Sequence, residues 1–123
     1  MKNQDIIMQV ELLKRLSGVR GKLGWYVYRN IKILSDACTE AVKIRNEAVM
    51  KYGSEENGAY SINPSSEHWA EYAAEVEPVM SIEQDVKLCK ISRAEFDDLA
   101  KDADLTAAEL MVLDEILVEE THE

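Results

Sequence analysis

The sequence predicts a mainly α-helical fold with a minor β element, and three observations carry that reading. No Pro or Gly falls between Trp25 and Tyr52, and the apolar residues of that stretch recur at helical spacing. Ser92-Arg93-Ala94-Glu95 and Thr106-Ala107-Ala108-Glu109 both have the form of a capping box, each followed by apolar residues on a helical period. Charge is also sorted along the chain. Residues 1–53 hold ten Lys/Arg against five Asp/Glu, net +5, whereas residues 54–123 hold four against nineteen, net −15. The acidic part is therefore expected to fold back on the basic part.

The elements follow in order. Ile6, Ile7, Val10, Leu13 and Leu16 give a first helix near residues 4–17, with Gly18 placed where helices commonly stop. A long central helix spans about Lys22 to Tyr52. Its seam of Val27, Ile31, Leu34, Cys38, Ala41, Arg45, Ala48 and Tyr52 alternates by three and four residues, and Leu23, Tyr26, Ile33, Ala37 and Ile44 widen it into a broad stripe. Such a helix is roughly 45 Å long, and an antiparallel first helix covers only about 20 Å of it, so another element must pack on the remainder. Gly18, Gly21 and Gly24 fit neither a phosphate-binding loop nor a P-loop, and read as a close-packed corner between the two helices.

Gly53 ends the long helix, and Asn57-Gly58 is a tight-turn signal because both residue types tolerate positive φ. Tyr60 to Ile62 reads as a short strand that pairs with an extended Val86–Ile91 stretch, giving a small two-stranded β piece. Between them, Asn63-Pro64 reads as a helix start, Trp69, Tyr72, Ala73 and Val76 as an apolar face, and Pro78 as the limit of a third helix. Two short C-terminal helices complete the fold, with Phe96 and Leu99 on the inner face of one and Leu110, Leu113, Ile116 and Leu117 on that of the other. The whole, residues 1–123, is one domain of ordinary globular composition, 46% apolar and 31% charged.

No run approaches the roughly 18 apolar residues of a membrane span, and the N-terminal residues lead into an amphipathic pattern, so a cytoplasmic protein without membrane contact is expected. Cys38 and Cys89 lie far apart within apolar patterns and read as two small buried thiols, not as a disulfide framework or a metal knuckle. His68, Glu71 and Glu75 share one side of the third helix, but a single helix supplies too few ligands for a cation. No catalytic residue, metal site or cofactor is assigned, and an enzyme is not expected.

Projecting the long helix at 100° per residue places Trp25, Tyr28, Arg29 and Lys32 together opposite the apolar stripe. Two outcomes are open for this cluster. It is a partner-binding patch, because Trp, Tyr and Arg concentrate binding energy at protein interfaces, or the acidic C-terminal helices wrap and bury it. Arg beside aromatic rings also suits stacking on nucleic acid, but a net charge of −10 repels phosphate elsewhere, so nucleic acid is disfavoured. Asp97, Asp98, Asp102 and Asp104 form an acidic face, read either as solvated surface that neutralises the basic helix in cis or as an imitation of DNA phosphates.

Several local features together resemble a known family. Gly21-Lys22-Leu23-Gly24-Trp25-Tyr26, Lys51-Tyr52-Gly53, Glu56-Asn57-Gly58, Ile91-Ser92 and Asp104-Leu105-Thr106 are similar, in this order and over nearly the whole chain, to short proteins without an assigned activity encoded by siphophages and prophages of Gram-positive bacteria. The resemblance implies a viral origin and action in the cytoplasm of an infected bacterium. It carries over no functional residue. The combined expectation is a non-enzymatic accessory protein that binds and inhibits a host protein, an antiviral defence or nucleic-acid-processing factor. The alternative is a tail or connector assembly factor that acts through helix-mediated oligomerisation. The partner is a protein, of the host or the phage, with homo-oligomerisation left open.

Overall fold

The computed structural model describes residues 1–119. It is mainly helical, as the sequence predicts: α1 (Asn3–Lys14), α2 (Gly21–Tyr52), α3 (Trp69–Met80), α4 (Arg93–Lys101) and α5 (Ala107–Leu117), with a hairpin of β1 (Ser54–Glu56) and β2 (Ala59–Ser61). No helix among the described residues is long and apolar enough to cross a membrane.

The unbroken 32-residue α2 is the spine on which everything else packs. Its stripe buries Leu23, Val27, Leu34, Cys38, Ala41 and Ala48. Helix α1 runs antiparallel along the N-terminal half. Its start is tied to Ala37 through Gln84, which donates from Nε2 to the Asn3 side-chain oxygen and, at 2.8 Å, to the Ala37 carbonyl. At the other end of α1, the Val19 carbonyl lies against Gly24. The expected glycine corner thus rests on two of the three glycines: Gly24, where no side chain fits, and Gly21, whose φ of 73° suits a residue without Cβ. Gly18 has open space around it.

Helix α3 and the hairpin cover the C-terminal half of α2, supplying the additional element that its length demanded. Val76 is buried there, and the phenol of Tyr52 donates to a Glu75 carboxylate oxygen at 2.5 Å, which also receives Lys51 Nζ at 3.0 Å. On the N-terminal half, Phe96 of α4 and Leu113, Ile116 and Leu117 of α5 join Ile6, Val10 and Leu13 of α1 and Leu16 of the turn after it in the main core. Cys38 and Cys89 are both free thiols, but only Cys38 is buried as expected; Cys89, in the coil beside α2, is half-buried.

Three expectations are corrected. The strand at Tyr60 pairs with Glu55, not with residues 86–91. Asn57 (φ 52°) and Gly58 (φ 82°) both adopt positive φ, which makes a two-residue turn matched to the strand twist and closes a local hairpin with minimal loop entropy. The 86–91 segment is extended coil instead, except that Ile91 forms a parallel bridge to Val118. Asn63-Pro64 does not start α3. Asn63 Oδ1 accepts from the Ser65 amide at 3.0 Å, closing a turn, and the helix begins at Trp69. Pro78 lies inside α3, which continues to Met80.

The extended coil is held by an unforeseen buried residue. Asn30, fully buried in the α2 stripe, donates to the Cys89 carbonyl at 2.9 Å and accepts from the Cys89 amide at 2.7 Å, while its second donated bond reaches the Tyr26 carbonyl at 3.0 Å. One amide side chain thereby satisfies both backbone groups of Cys89 as a neighbouring strand would. The chain needs no sheet there.

Candidate protein-binding site

Trp25, Tyr28, Arg29 and Lys32 occupy positions i, i+3, i+4 and i+7 of α2, so a continuous helix brings them onto one face. All four are exposed. Trp25 retains 52% of its surface and Tyr28 57%, an unusual amount of water-facing aromatic area on a helix with a well-filled inner stripe. The Arg29 guanidinium carbon lies 5.6 Å from the Trp25 ring centroid, a cation–π contact that fixes both side chains. On the other side, Trp25 meets Tyr26 edge-on with centroids 5.3 Å apart.

Helix α4 approaches this end of α2 but does not cover the cluster. It is anchored beside it by Glu95, whose Oε1 accepts from Lys22 Nζ at 2.6 Å and from the Tyr26 hydroxyl at 3.1 Å. The ring covered by the acidic helices is thus Tyr26, while Trp25 and Tyr28 stay open. This also explains why the first of the two expected capping boxes is only half made. Ser92 Oγ accepts from the Glu95 amide at 3.2 Å, but the Glu95 side chain is drawn to the cation and the phenol instead of returning to Ser92. At α5, where no cation competes, Thr106 and Glu109 form the full reciprocal box.

The charge pattern is consistent with these contacts. The Lys22 hydrogen bond holds the Glu95 carboxyl below its ordinary range, and Lys22 is raised in return. Tyr26 is raised by desolvation and then by its bond to Glu95. At the far end of α2, Tyr52 and then Lys51 lower Glu75. Both ends of the basic helix are therefore pinned by carboxylates of the acidic half. A group with a depressed folded-state pKa stabilises above its unfolded value, and that contribution is lost as pH falls through the folded one. The anchoring by Glu95 should therefore be complete at pH 7 and vanish in acid, below the usual carboxylate range. Thermal unfolding of wild type and Glu95→Gln should converge as the pH is lowered, with the variant less stable only at the higher pH; a constant gap at all pH values would contradict the assignment.

The acidic face is distributed differently from the aromatic one. Asp97, Asp98, Asp102 and Asp104 are all exposed, but Asp97 lies 3.9 Å from Arg93 on its own helix, and Arg93 is engaged bidentately by Asp114 at 2.6 and 2.7 Å. Asp102 and Asp104 line a cleft of about 440 Å³ opposite Arg15 and Arg20 of the α1–α2 corner. Sequence spacing placed the four aspartates together; the turn after α4 splits them into one pair on the helix and another facing basic side chains. His68, Glu71 and Glu75 are also separated. His68 Nδ1 lies 3.5 Å from Glu71, while Glu75 turns to Lys51 and Tyr52. Among the described residues no group of three or more His, Cys, Asp or Glu side chains is arranged to hold a metal ion.

The architecture is thus a helical domain built on a single long spine, with one aromatic and basic stretch of that spine left uncovered. Compared with known proteins, the chain matches no family model, no curated protein and no solved structure.

Proposed function

We propose that this protein is a non-catalytic binding protein whose α2 face of Trp25, Tyr28, Arg29 and Lys32 engages another protein. The observation that carries the proposal is the pair of aromatic rings one helical turn apart, each more than half exposed, with a guanidinium stacked on one of them. Leaving these rings in water costs hydrophobic free energy that a partner would recover, and a long rigid helix presents them with little conformational entropy to lose on binding. The net charge of −10 repels a nucleic-acid backbone over the remaining surface, so the compact basic and aromatic patch suits a local contact with a protein better than an extended one along phosphates.

Within this reading the protein is a phage-encoded accessory factor in the cytoplasm of a bacterial host, where it binds and inhibits a host protein of antiviral defence or nucleic-acid processing. The family resemblance of the sequence supports the origin, and the exposed rings of the α2 face support inhibition by occupancy as the mechanism. Virion assembly by self-association is the second reading. The C-terminal half of α2 is covered by α3 and the hairpin, but Ile44 and Met50 remain exposed there, 38% and 59%, and suit contact between copies.

Affinity capture from infected cells, paired with sedimentation of the purified protein, distinguishes the readings. A host protein recovered with a monomer or dimer supports inhibition. Tail or connector proteins recovered with a ring or higher oligomer would replace it with assembly.

A further inference from the structure

Arg45 is the one charged residue on the apolar seam of α2, and neither the packing of the fold nor the α2 face makes use of it. It is half-buried, yet no carboxylate among the described residues lies within 4 Å of it. Lys14 of α1 is unpaired by the same measure. The two cations flank a groove of about 280 Å³ between α1 and α2, floored by Ile7, Val10, Cys38 and Val42.

Both cations act on the same part of this groove. Burial raises the Cys38 thiol, and the charges of Lys14 and Arg45 draw it back down. Glu11 also stands on the edge but pairs with neither cation. The acidic half of the chain does not answer them either. At 100° per residue, the α2 positions that it bonds, Lys22, Tyr26, Asn30 and Lys51, project to one flank, and Ser35, Cys38 and Val42 to the far one. Thr39 Oγ1 and Cys38 Sγ both donate to the Ser35 carbonyl, at 2.8 and 3.6 Å, so these polar atoms are spent within the helix. The groove therefore offers a guest an apolar floor under unanswered positive charge.

Size narrows the guest further. A helix about 10 Å across does not fit into this volume. At roughly 30 Å³ per non-hydrogen atom, the share of a water molecule in the liquid, the groove suits a guest of about nine or ten atoms. We infer that the α1–α2 groove binds a small aliphatic anion, a carboxylate on a chain of about eight carbons, with its head between Lys14 and Arg45 and its chain along Ile7, Val10 and Val42. This site is separate from the α2 face and stands whether or not that face has a protein partner.

The test is isothermal titration of the full chain with sodium octanoate, beside octylamine, which has the same chain and the opposite charge, and hexanoate, which is shorter by two methylenes. Octanoate should bind, hexanoate about tenfold more weakly, and octylamine not at all. Arg45→Gln and Lys14→Gln should each weaken octanoate about tenfold, and Arg45→Lys less. Lys14 is exposed, so its variant keeps the test valid if Arg45→Gln does not fold. The Trp25→Ala/Arg29→Ala variant should bind octanoate as wild type does, which separates the groove from the α2 face. Failure of octanoate to bind, equal binding of octylamine, or unchanged binding in both Gln variants would overturn the inference. So would cosedimentation with phosphatidylglycerol vesicles, because the cations would then serve a lipid surface.

Discussion

Replacing Asn30 with Ala should cost about 3 to 5 kcal/mol of folding stability, since a buried donor or acceptor left without a partner costs about 1–3 kcal/mol. The variant orphans the amide and the carbonyl of Cys89 and also removes the bond to the Tyr26 carbonyl. Asn30 is fully buried, so water cannot substitute without opening the α2 stripe. Against a typical total of about 5–15 kcal/mol, the loss is a large share. Asn30→Asp should fare no better, because it keeps the acceptor but removes both donated bonds and buries a charge. Urea denaturation measures the effect as a lower midpoint at unchanged slope. A loss under about 1 kcal/mol would mean that the 86–90 segment is held by its Val86 and Leu88 contacts alone.

The second large effect is one of sign. Gly to Ala inside a helix ordinarily stabilises by about 0.5–1 kcal/mol. At Gly24 the new Cβ would lie 2.1 Å from the Val19 carbonyl oxygen and 2.9 Å from its carbon, both backbone atoms that cannot rotate away. The α1–α2 corner would have to move off the helix, so Gly24→Ala should destabilise by about 1–3 kcal/mol, the range of overpacked sites. Gly18 provides the control. Nothing lies within 4 Å of its added Cβ and its φ is not positive, so Gly18→Ala should be neutral or stabilising by up to about 1 kcal/mol. Thermal unfolding of the two variants should shift in opposite directions. A stabilising Gly24→Ala would mean that the corner is not packed as described.

The particular elements show what could be read from the sequence. The bounds of α2 were legible because an uninterrupted stripe and a terminal Gly act locally: the expected start at Lys22 differs from the observed one by a single residue, and the end at Tyr52 is the same. The turn at Asn57-Gly58 was legible for the same reason, since positive φ is a property of those two residues. The partner of the Tyr60 strand was not. Extended propensity says that a segment can pair, never with which neighbour, and a two-residue turn outcompetes a contact some thirty residues away. Asn30 was partly visible: spaced three after Val27 and four before Leu34, it sits on the apolar stripe, and a polar residue on a buried seam implies a bonded partner. Its partner, the backbone of Cys89, is a tertiary fact.

The site divides in the same way. That Trp25, Tyr28, Arg29 and Lys32 share a face follows from helix geometry alone. Whether α4 would cover them depended on where Glu95 finds its partners, and a residue with the pattern of a capping box was diverted to Lys22 and Tyr26. Charge sorting indicated that the acidic half returns to the basic helix, but not that it does so chiefly through Glu95 and Glu75 at the two ends. The acidic face was read as one cluster because sequence proximity ignores the turn that separates Asp98 from Asp102.

The most direct measurement compares Trp25→Ala/Arg29→Ala with wild type in thermal unfolding and in partner capture at the same protein concentration. Exposed rings contribute little to the fold, so the melting temperature should fall by less than about 4 °C, equivalent to roughly 1 kcal/mol for a chain of this size, while the captured partner is lost. Capture that survives unchanged, or a variant that no longer folds, would contradict the assignment of this α2 face as the binding surface.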